Sequence, residues 1–420
     1  MLFIATLAIG NAFVPAEKAV SLESAGHDFL AFYTAGTFLR DGRAHELYDL
    51  ATISTFQHEL AAREGIRLGR TDLAPYWNPP FYAWTFVPLS TMTYRAAWSA
   101  WLAVNLAAAA GAVVLLVRML PGDWRTRGLV PLLLVTSLPF IEALGHGQNT
   151  CTSLLLLAAT VTRWRSGRTF AAGATCGLLF YKPQLGAVLA AALVLTAGLR
   201  PLCGLAVTGA LLLSVNLLTL PGTLDDFLHR LPANISFMQI DRPYLWDRHV
   251  TLKAFWRLLI QGYETGEMTL LARALWLATA TALAGSLALI LWKLRRAGDA
   301  LSRDRAIAAT IVCMPLLMPF YFDYDLLLLA APAVLVARER ASGQGVVGGR
   351  LVALWIVLAG WLVVNGAIAK LTHVNGTVLL LIALAAVLLR RAWRDVRPAR
   401  ADGPPAGEGA DEPQPLRRAA

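Results

Sequence analysis

Residues 96–117 read AAWSAWLAVNLAAAAGAVVLLV, twenty-two positions without a formal charge. At 1.5 Å per residue, a helix of this length runs about 33 Å, enough to cross a hydrocarbon core of about 30 Å. Further apolar blocks occupy residues 270–292 and 351–364. Across the 420 residues, 57% are hydrophobic and 15% charged. Soluble domains run nearer half apolar and a quarter charged. The excess sits in long blocks, more than a buried soluble core requires, and it places the chain in a membrane.

Working outward, apolar segments fall at about 2–15, 79–93, 95–117, 129–146, 148–163, 169–182, 184–199, 201–220, 270–292, 306–322, 325–337, 351–368 and 375–392. The formal net charge is +10. In a soluble protein that would raise nucleic acid as a partner. Here the basic residues gather in short loops such as 163–168 and 293–305. Cytoplasmic loops are enriched in Lys and Arg for topological reasons, so no nucleic acid is expected. Placing the basic loops inside puts residues 145–149, 181–184, 221–268, 320–325 and 365–375 on the outer side. Either the fifteen-residue segment 79–93, short for a span, makes no full crossing, or 118–127 is an outer loop and another short segment fails to cross. The expected architecture is all-α, a polytopic transmembrane helical bundle of about twelve spans.

The run at 2–15 lacks a basic n-region and a convincing cleavage site, so it reads as a first span rather than a signal peptide. Two polar stretches are too long for ordinary connections, 16–78 and 221–268, and such loops are usually functional. Within the first, residues 29–40 and 50–63 show helical apolar spacing with charged faces, as expected of helices lying on the membrane surface. The main body is residues 1–397. The tail 398–420 is rich in Pro, Gly, Ala and charge and is expected to be a disordered cytoplasmic extension. Cys151, Cys176, Cys203 and Cys313 lie in apolar segments without metal-ligand spacing and read as small buried hydrophobes. There is no P-loop, no dinucleotide-binding glycine fingerprint and no repeat of solenoid period.

Polar motifs interrupt this apolar background. Gly26-His27-Asp28-Phe29 sets a carboxylate after the first span, either capping a helix or facing a substrate. Tyr33 follows on the same helical face, then Gly42 and a turn ending at Tyr48. Tyr76-Trp77-Asn78-Pro79-Pro80 is fully explained by interfacial aromatics and helix initiation. Gly145-His146-Gly147-Gln148-Asn149 links two apolar segments, either as a simple tight turn or as one whose polar side chains project at the outer face. Tyr181-Lys182-Pro183-Gln184 places a cation between apolar segments, where it either snorkels to the interface or holds a phosphate. Tyr321, Asp323, Tyr324 and Asp325 break another apolar stretch. Acids at such a place need a cationic partner, an aqueous cavity or a divalent metal. His249, in the second long loop, is a weaker candidate.

In this order the motifs resemble those of the glycosyltransferase family 87 proteins of the GT-C superfamily. That family includes polyprenyl-phosphate-mannose-dependent α-mannosyltransferases acting on phosphatidylinositol mannosides. The matching elements are His27-Asp28 with Tyr33, the turn from Gly42 to Tyr48, Tyr76 to Pro80 with Pro88, Gly147-Gln148-Asn149, Lys182-Pro183, and Tyr321 to Asp325 with Pro332. Each is short, and the specificity lies in their order across residues 26–332. One stretch departs from the family: where Asn-Gln-Ser-Leu is common, this chain has Arg248-His249-Val250-Thr251-Leu252.

The resemblance implies a GT-C bundle with interfacial helices in its first outer loop. It also implies a multi-pass protein of the bacterial-type inner membrane, serving the cell envelope, with its active site on the outer, periplasmic face. The donor it implies is a polyprenyl-phosphate sugar, the hexose being mannose, and the acceptor a lipid or glycan. Asp28 would be the catalytic base and Lys182 the donor-phosphate ligand. His27, Tyr33, Gln148, Asn149, Tyr321, Tyr324 and His249 would contact substrate. A single displacement would invert the anomeric centre. A divalent cation on Asp323 and Asp325 is left open, and no other cofactor is called for. The rival reading is a secondary transporter or lipid-linked-sugar flippase, which would also place polar residues among many spans.

Overall fold

A computed structural model describes residues 26–395, apart from 67, 70, 71, 123, 298 and 344–347. The apolar run at 2–15 and the tail from 398 lie outside the described residues. Within them the chain is all-helical; its only non-helical pairing is an isolated antiparallel bridge between His249 and Phe322.

Helices α1 (His27–Arg40) and α2 (Leu50–Glu64) come first. Two tight 3-10 turns follow, Pro80–Phe86 and Leu89–Thr91, so segment 79–93 forms no continuous span. Then come α3 (Tyr94–Val117), α4 (Trp124–Val135), α5 (Leu138–His146), α6 (Thr150–Arg165), α7 (Thr169–Leu178), α8 (Pro183–Ala197) and α9 (Leu199–Thr219). The second long loop carries α10 (Thr223–Ser236) and α11 (Leu252–Gln261). The last third holds α12 (Leu270–Ala297), α13 (Ala300–Leu317), α14 (Ala330–Ala341), α15 (Gly349–Thr372) and α16 (Gly376–Asp395).

Helices α3, α9, α12, α15 and α16 are long and apolar enough to cross a membrane. The pair α4–α5, bent by 48°, would make a sixth span if it counts as one. Among the described residues, the expected spans 169–182 and 184–199 fold as the short apolar helices α7 and α8. The long helices bury one stripe and leave the other bare. On α3 the buried residues include Tyr94, Ala97, Trp101, Asn105, Ala108 and Ala112, at three- and four-residue spacing. Val104, Leu106 and Val114 on its other face are exposed. Such a face suits lipid, which is as apolar as the side chains. Helix α13 differs. It is buried continuously from Ala306 to Leu316, as expected of a helix apolar on every side.

Small residues bring backbones together. A Cβ on Gly173 would lie 2.0 Å from the carbonyl oxygen of Pro201, and one on Gly204 would lie 2.1 Å from that of Phe170. Helices α7 and α9 therefore pack backbone to backbone, the usual role of small residues between membrane helices.

Helix α1 lacks the charged face that its spacing suggested. Every residue from Phe29 to Leu39 is buried. Its charges, Asp28 and Arg40, stand only at its two ends. Phe32 stacks on Phe86 at 4.7 Å, and Gly36 meets the Phe86 backbone with no room for a Cβ. Helix α2 does lie at the surface, burying Ile53, Gln57, Leu60 and Ala61 along one side.

Candidate functional site

The N-terminus of α1 is pinned by backbone contacts. Gly26 enters it in the left-handed region and donates its N–H to Gly145 at 2.8 Å. The Tyr94 hydroxyl donates to the Gly26 carbonyl at 2.7 Å. The Trp101 indole donates to the Gly147 carbonyl at 2.8 Å. Gly147 itself has φ +72°, and a Cβ there would meet the Phe29 Cβ at 2.7 Å. That turn therefore sits directly against the first turn of α1. Gln148 follows it and donates to Asp28 Oδ2 at 2.8 Å.

Asp28 is half-buried, with His146 Nδ1 at 3.7 Å and His27 Nδ1 at 3.9 Å. Burial alone would raise its pKa. The adjacent His27, the nearby His146 and the hydrogen bond from Gln148 outweigh burial and hold the carboxyl well below the usual carboxylate range. The adjacent Asp28 carboxylate in turn raises the pKa of His27 against its own burial. The pair is thus a fixed anion beside a histidine that keeps its proton to higher pH.

Lys182 is delivered from the other side. A 3-10 turn, Leu179–Tyr181, precedes it and Pro183 opens α8 after it. The Asn78 amide donates to the Tyr181 carbonyl at 2.8 Å, and the Tyr181 ring stacks on Tyr82 at 4.4 Å. The polar part of the aromatic–Asn–Pro motif thus anchors the lysine turn, a use beyond helix initiation. Lys182 is buried and donates to Asp325 Oδ1 at 2.8 Å. The same oxygen accepts from Thr150 at 2.9 Å, while Asp325 Oδ2 is buried without a partner.

Tyr324 joins the two halves. Lys182 Nζ lies 5.2 Å from its ring centroid and the His146 ring 6.2 Å away. The ring is also 5.8 Å from the Arg248 guanidinium, which makes a two-pronged ion pair with Asp323 at 2.9 and 3.0 Å. Arg248 further approaches His146 at 3.3 Å and Glu142 at 3.9 Å. Asp28, His146, Arg248, Tyr324 and Lys182 therefore form one continuous polar patch. It draws on α1, the end of α5, the second long loop and the segment after α13.

The other sequence candidates fall in two groups. Asn149, between Gln148 and Thr150, has a side chain that is buried and makes no hydrogen bond. Tyr33, Tyr321 and His249 are held by the fold. Tyr33 donates to the Met92 carbonyl at 2.8 Å, and Tyr321 to the Asp325 carbonyl at 3.1 Å. His249 is fully enclosed by Tyr244, Trp246, Phe320 and Phe322. Burial, with Arg248 and Lys253 nearby, pushes its pKa down to about 3, so it is neutral. Its backbone bridge to Phe322 fixes its neighbour Arg248 over Asp323. Of the metal candidates, Asp323 is engaged by Arg248 and Asp325 by Lys182 and Thr150. Among the described residues no three His, Cys, Asp or Glu side chains converge on a metal-binding group. Glu142, Thr150 and Arg248 were not singled out from sequence, and His146 was read only as part of its turn. Their signal was a charge or hydrogen-bonding group beside an apolar run, too common to select.

Fold and patch together define a polytopic helical membrane protein with a charged centre assembled from distant parts of the chain. Residues 76–319, more than half of the chain, match the sequence profile of glycosyltransferase family 87. The chain belongs to this family and is a membrane glycosyltransferase. The matched region contains Gln148, Asn149, Lys182 and Arg248, whereas Asp28 precedes it and Asp323 to Asp325 follow it. No curated protein and no solved structure is significantly similar to the chain.

Proposed function

We propose that this glycosyltransferase moves a hexose, mannose by the family resemblance, from a polyprenyl-phosphate donor to a lipid or glycan acceptor. The reaction takes place at the outer face of the cell membrane. The observation that carries the reading is the shared position of Asp28 and Lys182: each borders the Tyr324 ring, one through His146 and the other directly.

In this mechanism the acceptor hydroxyl gives its proton to the Asp28 carboxylate as its oxygen bonds to the anomeric carbon. The bond from that carbon to the phosphate oxygen breaks, and polyprenyl phosphate leaves with the electron pair. Displacement from the opposite face inverts the anomeric centre. Positive charge grows on the sugar ring in such a transition state. The patch suits it, since Asp28, Asp323 and Asp325 outnumber Lys182 and Arg248. The two cations would hold the departing phosphate, Lys as a point charge and Arg as a planar fork. Gln148 positions the base, and Asn149 has unused hydrogen-bonding capacity for sugar hydroxyls. The depressed pKa of Asp28 keeps it ionised throughout the physiological range, unprotonated when the acceptor hydroxyl arrives, although it is a weak base until a donor beside it, such as the His27 proton, is withdrawn.

The test supplies purified protein with radiolabelled polyprenyl-phosphate hexoses and total membrane lipid. A labelled product from wild type and none from Asp28→Asn is the expected result. Retained turnover in Asp28→Asn would overturn the assignment of the base. A flippase would instead move labelled donor across vesicles with its sugar bond intact.

A further inference from the structure

A second cavity, of about 400 Å³, lies between the end of α10 and the start of α12, away from Asp28 and Lys182. Its lining includes Trp246, Lys253, Arg257, Glu267, Arg273 and Trp276. Leu270 and Leu271, in the first turn of α12, are strongly exposed. The cavity therefore sits where a spanning helix enters the apolar phase, the level at which Trp and basic residues meet lipid headgroups.

Its charges are not matched internally. Lys253 is half-buried and donates to Gln239 Oε1 at 3.1 Å, with no carboxylate within 4 Å among the described residues. Arg257 is buried and spends its guanidinium on the carbonyls of Gly262, Glu264 and Gly266. Both cations pack over Trp246, at 5.8 and 5.4 Å from its ring. The Trp276 indole N–H is buried without an acceptor. The lining carboxylate, Glu267, is exposed and lies 3.8 Å from Arg273. Spare donors on Lys253, an unused indole N–H and a surplus of cations call for an anion with several acceptor oxygens.

We propose that this cavity binds the phosphate headgroup of an anionic membrane lipid. Lys253 supplies the charge, Trp276 an N–H, and Trp246 an apolar wall. The proposal rests on the membrane placement and does not depend on the transfer mechanism. Phosphate is the shared chemistry of a lipid headgroup and the free ion, and the arms of the test separate them.

The full chain in neutral detergent is titrated with short-chain phosphatidylglycerol, with phosphatidylcholine of the same chains, and with inorganic phosphate. Phosphatidylglycerol should bind most tightly. Lys253→Ala should weaken it about tenfold and Trp276→Phe about threefold, each having lost one hydrogen bond to a charged group. Lys253→Arg should bind nearly as wild type. Asp28→Asn should bind unchanged, so this proposal and the transferase mechanism fail separately. Should Lys253→Ala misfold, Trp276→Phe carries the test. Undiminished binding in folded Lys253→Ala and Trp276→Phe would overturn the proposal. So would equal affinity for phosphatidylcholine, or inorganic phosphate binding as tightly as the lipid.

Discussion

Helix α13 has a charged cluster near each end, and the two are built differently. Near its start, Asp304 accepts from Arg165 and Arg338, and Glu339 accepts from Arg305 and Arg391. Both carboxylates are buried, and each has two guanidinium partners. Beyond its other end the carboxylates outnumber the cations. Asp325 leaves one oxygen without a partner, Asn149 makes no side-chain hydrogen bond, and Asp28 remains partly open. Buried polar groups are normally paired, and those that are not mark strain or function. The first cluster ties α6, α13, α14 and α16 together. The second keeps its capacity for something else to bind.

Substitutions can break that contrast. The largest effect is expected at Asp28: Asp28→Asn should lower turnover about a thousandfold, the scale of general base catalysis, with a melting temperature lowered less than by Asp304→Ala. Transfer of label and a thermal melt check it together. Asp304→Ala should do the reverse. It strands two guanidinium groups and should cost about 3 kcal/mol of stability, with turnover per folded molecule unchanged. A smaller effect on stability than at Asp28 would erase the distinction between the two ends.

Lys182→Ala should weaken donor binding about a hundredfold, and Lys182→Arg less, as expected for loss of a buried charge facing phosphate. Equal donor affinity in all three proteins, read by direct titration, would remove the phosphate role. Asn149→Ala should lower kcat/KM about tenfold while the melting temperature holds or rises, because the native amide is buried without partners.

The smallest effect concerns pH. His27 has its pKa raised above 6.5 by Asp28, so the stability from its charge is full below pH 6.5 and fades as pH rises through the folded value. Asp28 is shifted the other way. Its contribution is present above its unfolded pKa and is lost only as pH falls well below the usual carboxylate range. Loss of the His27 proton should make Asp28 more basic and raise kcat about twofold between pH 6.5 and 8. His27→Gln should flatten that rise in a pH–rate profile.

Long uncharged runs such as residues 96–117 made the membrane class legible from composition alone. Helix length was harder to read: the division of 169–199 at Lys182 and Pro183 was legible, but nothing in the two apolar pieces announces that each folds as a helix shorter than a span. The burial of α1 was missed because helical spacing shows which residues share a face but not what covers the others. Phe86 and Trp101, which cover Phe32, are more than fifty residues away. At the site, Asp28, Lys182 and Tyr324 could be picked out as polar groups at apolar boundaries. Arg248 was passed over for its neighbour His249, since nothing local indicates which of two adjacent side chains turns toward Asp323. The bridge from His249 to Phe322 decides that, and it pairs segments seventy residues apart.

A polyprenyl-phosphate hexose carrying a photoreactive diazirine on its sugar would locate the reacting centre directly. After irradiation of the purified chain and peptide mapping, the cross-links should fall within residues 26–33, 142–150 and 320–325. Labelling confined to the peptides around Arg165, Asp304 and Arg338 would contradict the account, for the sugar would then sit at the end of α13 whose charges are already satisfied.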